Sequence, residues 1–166
     1  MTFCSLMLFR DELQGNRTDA IGTNDTSGVI YLRKLHADIE TFSSVSLPKC
    51  GVYRYTDSPD FEILLLSYSF DDDEIQTIDL ACGEKMPEEF LAALTDPQVV
   101  KIAHHAAFER ICLSCYLQRR NLLAADKWLD SHQWRCTMVM ASYLTLPRSL
   151  KDVAVTLRLS KQKMDE

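Results

Sequence analysis

Two acidic residues one position apart, Asp38 and Glu40, are the first candidates for chemistry in this sequence. They close an apolar run that is typical of a buried strand, and alternation along a strand sends both side chains to the same side of a sheet. Carboxylates held that close repel each other unless a cation or a proton compensates, and hard divalent ions such as Mg²⁺ prefer oxygen ligands. The pair therefore predicts a metal-binding strand end. A solvated strand end without chemistry remains open from the spacing alone.

A third acid, Glu109, follows the pair His104-His105 at a point where a predicted strand turns into a predicted helix. Within the first helical turn or so, its side chain can face the end of the sheet, where it would meet the first two acids. The alternative is an ordinary first-turn acid that favours the helix dipole, with both histidines at the surface. Spacing does not decide between the two.

The order of the strands and helices predicted from the sequence indicates a mixed α/β sheet covered by helices, which would position these acids. Three strands come first, the second and third forming a hairpin, and then helices and strands alternate. Residues 1–28 are expected to be a poorly ordered extension, and residues 29–166 to form one domain. The predicted strands are 29–39, 61–70, 74–80 and 99–103; the predicted helices begin at 87, 106, 137 and 150 and end at about 95, 117, 144 and 159. The segment from 43 to 59 is predicted to be a polar connection.

Composition limits the class of protein. The chain has 166 residues, 46% of them hydrophobic, which is enough for one core. It lacks an apolar run of the roughly 20 residues that a membrane-spanning helix needs, and its apolar start lacks the basic residues of a secretory signal, so we expect a soluble cytoplasmic protein with no membrane partner. A net charge of −6 does not indicate the basic surface patch that is typical of DNA-binding proteins. It still permits a metal-dependent nuclease, whose site is acidic until cations bind.

The six cysteines do not form the dense framework of a small secreted domain. Cys112 and Cys115 form a C-x-x-C sequence inside the predicted helix 106–117, and no second Cys or His pair follows at zinc-finger spacing. We therefore expect buried helix thiols at these positions, in preference to a metal or redox site.

Several blocks of sequence, in order, carry a resemblance to a known family. They are 38–43 (DIETFS), 49–55 (KCGVYRY), 58–65 (SPDFEILL), 108–114 (FERICLS), 136–139 (CTMV), 146–150 (LPRSL) and 162–164 (QKM). Together these blocks resemble the N-terminal 3′–5′ exonuclease region of phage-type family A DNA polymerases, over roughly residues 33–164. The resemblance implies a ribonuclease-H-like α/β fold.

The resemblance also implies a four-carboxylate site with two Mg²⁺ or Mn²⁺ ions, which activate water and stabilise the leaving 3′ oxygen. Asp38 would bridge both metals, Glu40 would hold one of them and help position the water, and Glu109 would ligate through water. The nucleic-acid-binding residues expected beside these acids, for a single-stranded DNA 3′ end, are Thr41, Phe42, His105 and Phe108. His105 stands where related sequences usually have asparagine.

By the same resemblance, a third motif with a general base and the fourth carboxylate, an aspartate, should lie beyond Met164, so we expect a C-terminally incomplete site and low activity for this chain alone. Asp152 could replace the missing ligand, although a first-turn helix acid is the simpler reading. The expected partner is a polymerase domain or a separate downstream chain. Two alternatives stay open: a non-catalytic fragment that binds nucleic-acid ends or a partner chain, and an α/β domain whose acids only end strands.

Overall fold

The computed structural model describes residues 32–158, which form a five-stranded mixed sheet with flanking helices. The strand order is β3-β2-β1-β4-β5. The strands are β1 (Arg33–Phe42), β2 (Glu62–Phe70), β3 (Gln76–Asp79), β4 (Val99–Ala103) and β5 (Trp134–Cys136). The helices are α1 (Leu47–Asp57), α2 (Glu88–Thr95), α3 (Ala106–Arg119), α4 (Thr137–Tyr143) and α5 (Leu150–Thr156), with a 3₁₀ turn at Ser131–Gln133. The predicted mixed α/β architecture is confirmed.

Strand β1 is the centre of the sheet, antiparallel to β2 and parallel to β4. Leu35, Ala37 and Ile39 are buried on one of its faces, while Asp38 and Glu40 alternate with them on the other. The pairing with β2 shifts register between Glu40 and the next residue, a β-bulge of the kind that changes the direction of neighbouring side chains. The central strand therefore presents its acids from one face, close to its irregular end.

Helices α2 and α3 contribute to the packing around the sheet. The ring of Tyr68 on β2 lies 5.2 Å from that of Phe90, which anchors α2 on the buried face of the sheet. Helix α3 is buried along almost its whole length, so it lies inside the molecule instead of on its surface. Its Cys112 and Cys115 are buried free thiols, as the sequence predicted, and burial raises the pKa of the Cys112 thiol. A buried neutral thiol is inert packing material.

Two elements differ from the sequence prediction. Residues 43–59 were predicted to be a connection, but they contain α1, with Pro48 in its first turn and a break at Gly51, whose φ of 75° suits glycine. Proline at a helix start and glycine at a kink are tolerated, so a helix could form where the pattern indicated a loop. Strand β5 was missed because its three residues are too short to show alternation; pairing with β4 creates it.

Other predictions fall partly or wholly outside the described residues. Three predicted segments cannot be compared with the structure for this reason: the extension 1–28, the first residues of the strand 29–39 and the end of the helix 150–159. Within residues 32–158, every helix is too short or too polar to cross a bilayer.

Candidate carboxylate site

Glu109 is the most unusual acid of the described chain. It lies in the first turn of α3 with only 4% of its surface exposed, and its Oε2 atom is buried without a hydrogen-bond partner. Burial, together with a smaller effect of the negative charge of Asp38, raises the pKa of this carboxyl to about 8. An unpartnered buried carboxylate oxygen is costly, so this position favours either a proton or a cation.

Asp38 lies on β1 close enough to Glu109 for its charge to affect the pKa of that residue. Glu40 lies two residues further along the same face, at the β-bulge, and is also half-buried. Across residues 32–158, no three His, Cys, Asp or Glu side chains stand together as a group that could hold a metal ion. The structure thus brings Asp38 and Glu109 together, and it does not gather all three predicted acids into one cluster.

Helix α3 begins directly after two histidines, His104 and His105. His105 occupies the N-cap position with a non-helical backbone, and its carbonyl accepts a hydrogen bond of 2.7 Å from the amide of Phe108. This first turn rotates Glu109 inward and leaves His105 exposed. The predicted first-turn position of Glu109 is confirmed, and its side chain is buried.

The predicted nucleic-acid-binding residues lie on the same two elements as the acids, at the end of β1 and at the start of α3. The ring of Phe108 lies 6.1 Å from that of His105 and 6.3 Å from that of Tyr55 on α1. The hydroxyl groups of Tyr55 and Thr41 form a hydrogen bond of 3.0 Å. Phe42 is half exposed at the end of β1. Tyr55 was missed as a candidate by the sequence reasoning, and the only signal for it was its place in the block 49–55.

His104 has a different role from its neighbour. Its Nε2 atom lies 3.0 Å from the carbonyl of Arg148, to which it donates, and its Nδ1 atom lies 3.0 Å from the hydroxyl of Thr137, from which it accepts. Burial lowers the pKa of this imidazole, which keeps it neutral. His104, which is half-buried, therefore links the end of β4 to α4 and to the segment before α5.

The donor chemistry of this region fits a divalent cation. Asp38, Glu40 and Glu109 offer only hard oxygen ligands, and the buried Oε2 atom of Glu109 is a polar atom that the protein itself leaves unsatisfied. Asp152, the possible substitute ligand, is an exposed acid in the first turn of α5, where it favours the helix dipole.

Comparison with known proteins identifies the class of this domain. No protein-family model matches the chain. Among solved structures, NrnC of Brucella melitensis bound to pGG superposes with a TM-score of 0.53 at 18% identity, over 80% of this chain and 55% of that one. NrnC with bound Mg²⁺ gives a TM-score of 0.52 at the same identity, over 80% and 57% of the respective chains. The fold is ribonuclease-H-like, a mixed sheet with flanking helices, as the resemblance implied.

A comparison of sequences adds a more similar relative, a phage DNA polymerase. The chain is 51% identical to the DNA polymerase of Bacillus phage SP02 over 132 residues, which are 80% of this chain and 19% of that polymerase. The resemblance to a phage DNA polymerase is therefore confirmed for this part of the chain. The chain spans about a fifth of the length of that relative.

Proposed function

We propose that residues 32–158 belong to a 3′–5′ exonuclease domain of a phage-type DNA polymerase, which removes nucleotides from DNA 3′ ends. The observation that carries the proposal is the buried, unpartnered carboxylate oxygen of Glu109 beside Asp38. Identity of 51% with a phage DNA polymerase supports it. The ribonuclease-H-like fold is compatible with nuclease chemistry, although a fold by itself does not define a function.

In this proposal, Asp38, Glu40 and Glu109 hold divalent metal, as Mg²⁺ or Mn²⁺, and the solved NrnC structure with Mg²⁺ supports the use of such a cation. When bound, the cations supply an activated water and stabilise the charge on the leaving 3′ oxygen. The protein contributes the positions of the ligands. The bulge after Glu40 and the first turn of α3 fix the directions of the acids, and burial of Glu109 excludes competing water from that side.

The DNA end is proposed to lie against the aromatic side of the site. Half-exposed Phe42 offers a face on which a base can stack, and such stacking contributes about 1–3 kcal/mol per base. The exposed imidazole of His105 can donate a hydrogen bond to a phosphate oxygen. Phe108 supports His105 by ring contact, and Thr41 is held in place by Tyr55.

The rate of DNA hydrolysis at such a site depends on how many catalytic groups act together. Among residues 32–158, no group of three His, Cys, Asp or Glu side chains that could hold a metal ion is assembled. Because the loss of one member of a cooperating set can remove most of the catalysis, we expect low activity for the 166-residue chain by itself.

The test uses two proteins. Residues 33–164 replace the matching region of the SP02 polymerase, and 3′-labelled single-stranded DNA is incubated with the chimera or with the chain alone, in Mg²⁺ or Mn²⁺. We expect the chimera to release nucleotides from the 3′ end, and Asp38→Asn to slow the release by at least about a hundredfold. The chain alone should be far slower. A folded chimera that leaves the DNA intact would contradict the proposal.

A second candidate function is supported by the absence of an assembled three-ligand group from residues 32–158. A domain of this fold without catalysis could bind nucleic-acid ends. It predicts that the chimera binds single-stranded DNA with the same affinity whether or not Asp38 is replaced, and that it cleaves in neither case. The two functions are separated by measuring binding and release on the same labelled DNA.

A further inference from the structure

Two exposed aromatic side chains meet where α1 lies next to the segment that follows α3. The rings of Tyr53, on α1, and Trp128, in that segment, pack edge to face with 5.4 Å between their centroids. The exposed fraction is 57% for Tyr53 and 41% for Trp128. We call these two residues the aromatic pair. Neither residue is among those predicted from the sequence for the carboxylate site.

The backbone on each side of Trp128 is held by α3. Three hydrogen bonds, of 2.6 to 3.1 Å, join backbone atoms of residues 127 and 129 to side chains that lie one turn apart on α3: Arg110, Ser114 and Gln118. Leu129 is also buried in the core. The exposed ring of Trp128 is therefore presented on a fixed backbone, and a large aromatic side chain that is already ordered loses little conformational entropy when it binds a ligand.

The aromatic pair borders a cavity of about 500 Å³ between α1 and the C-terminal half of α3. This volume lies within the range of small-ligand sites, about 300–1,000 Å³. The charged residues that line it are Arg54, Asp57 and Arg119, two of them positive, although the chain as a whole has a net charge of −6. The guanidinium of Arg119 donates only to backbone carbonyls, which do not neutralise its charge: those of Thr56, Ser58 and Phe61.

We propose that this cavity is a second nucleotide-binding site for single-stranded DNA, in which a base stacks on the aromatic pair and a phosphate group faces Arg54. Aromatic stacking combined with positive charge is the usual way in which proteins hold single strands without sequence preference. The inference rests on the proposed function in one respect, the choice of DNA as the ligand.

Helix α1 connects this cavity with the carboxylate site. Tyr55, two residues after Tyr53, is buried and shares a hydrogen bond with Thr41 at the end of β1, so the two tyrosines lie on different sides of the helix. A helix with its side chains is about 10–12 Å across, a distance that a few nucleotides can span. A strand with its 3′ end at the carboxylates would therefore place nucleotides further from that end in the cavity.

The lining favours nucleic acid over a protein partner. The core of a protein–protein interface is depleted in charged residues, whereas this cavity has charged residues from both α1 and α3 in its wall. It favours a strand over a free nucleotide as well, because contacts at two sites on one strand reinforce each other through the high effective concentration of the second contact.

Tryptophan fluorescence tests the inference, because the chain has two tryptophans and Trp134 is only 8% exposed. The full chain carrying Asp38→Asn is titrated with a short oligothymidylate in EDTA, so that the DNA is not cleaved. We expect a stacked base to quench Trp128, and Trp128→Phe, which retains Trp134, to abolish the quenching. A blunt duplex, whose bases are already stacked, should quench far less. Thymidine 5′-monophosphate should require a much higher concentration than the oligonucleotide.

The affinity for the same oligonucleotide, labelled and measured by fluorescence anisotropy, tests the individual side chains. Trp128→Ser should weaken binding by at least about fivefold. Arg54→Gln should weaken it severalfold and reduce the salt dependence by about one phosphate contact. The matched control is Tyr143→Ser, since Tyr143 is an aromatic residue that is 90% exposed on α4, outside the cavity. It should bind like the parent. Circular dichroism checks that each variant is folded.

Any of four DNA results would overturn the inference: no quenching by the single strand, quenching that persists in Trp128→Phe, equal quenching by the duplex, or equal affinity of Trp128→Ser and the parent. Binding of thymidine 5′-monophosphate as tightly as the oligonucleotide would also overturn it, in favour of a free nucleotide. In the polymerase chimera without DNA, acrylamide should quench the emission that Trp128→Phe removes. If it does not, polypeptide covers the aromatic pair and the inference is wrong.

Failure of this site and failure of the proposed function give different results. Nucleotide release by the chimera without quenching of Trp128 refutes the second site alone. Quenching of Trp128 by single-stranded DNA, with a folded chimera that releases no nucleotides, refutes the exonuclease function alone.

Discussion

Two buried ionisable residues of this protein, Glu109 and Lys101, differ in whether their polar atoms have hydrogen-bond partners. Glu109 lies in the first turn of α3, and one of its oxygens has no partner. Lys101 lies on β4 with no exposed surface, but its ammonium group donates to the carbonyl of Asp96 at 2.7 Å and to the side-chain oxygen of Gln133. The two residues belong to adjacent segments of the chain.

In both residues the pKa is shifted in the direction that favours the neutral form of the side chain. Burial lowers the pKa of Lys101 to about 8, and the charges of Asp96 and Asp130 oppose this only partly. Burial raises the pKa of Glu109 to about 8, and here the neighbouring charge of Asp38 adds to the effect. The lysine is therefore surrounded by groups that favour its charge, whereas the glutamate has a neighbour that disfavours it.

This difference separates a structural group, Lys101, from a candidate functional group, Glu109. Lys101 is satisfied by the fold itself, so it ties β4 to the segments on either side. Glu109 is left unsatisfied next to a second carboxylate, a state that a folded protein retains at a cost unless a proton or a cation compensates. Strongly shifted acids in such surroundings are candidates for functional sites.

The largest effect expected from this comparison concerns Glu109 and pH. The unfolded carboxyl loses its proton near its ordinary pKa of 4.5, while the folded one keeps it up to about 8. Unfolding therefore releases a proton in this window, and the contribution of Glu109 to the free energy of unfolding should fall as pH rises from 4.5 to 8 and then level off. Glu109→Gln removes this fall and should be more stable at pH 8 by about 2–4 kcal/mol.

The measurement is urea unfolding of parent and variant between pH 5 and 9, without divalent metal. Lys101 provides the internal contrast, since its unfolded form stays protonated to a higher pH than its folded form, so its contribution to stability rises above about pH 8. Parallel curves for the parent and Glu109→Gln would show that this carboxyl is not titrating in a buried state.

The next effect concerns Lys101→Met, which keeps an unbranched side chain that is one atom shorter and removes the donor. The carbonyl of Asp96 would keep only the amide of Val99 as a donor, the amide oxygen of Gln133 would lose the ammonium group, and a hydrogen bond to a charged group contributes about 1.5–3 kcal/mol. We expect destabilisation by about 2–3 kcal/mol in urea unfolding, opposite in sign to Glu109→Gln. The double variant Lys101→Met/Gln133→Leu should recover part of this loss, because one acceptor is removed with the donor.

The smallest expected effect is stabilisation by metal. At pH 8, millimolar Mg²⁺ or Mn²⁺ should raise the free energy of unfolding of the parent by about 1–2 kcal/mol, which is a rise of several degrees in Tm, and chelation should reverse it. Lys101→Met should show the same rise from a lower starting point, while Glu109→Gln should show little. An equal rise in all three proteins would mean that the ions bind elsewhere.

Much of the fold could be predicted from local pattern. Strand β4 was predicted with its observed bounds, and the hairpin of β2 and β3 and the start of α3 at Ala106 were also predicted, because alternation and helix-start signals are local. Helix α1 was missed because Pro48 and Gly51 are signals for a loop, and β5 because a short strand exists only through its partner. The large apolar residues of α4 were predicted to be helical, but their exposure could not be.

The sequence by itself determined which residues carry oxygen ligands and that Asp38 and Glu40 lie on one face, since strand alternation requires only neighbouring residues. Only the tertiary structure decided that Glu109 is buried beside Asp38, that Lys101 is enclosed and satisfied, and that His104 is held by Thr137 and Arg148. Burial and the coupling of charges depend on which distant segments pack together. Residues of one type, such as His104 and His105, can therefore differ in role although they are adjacent in sequence.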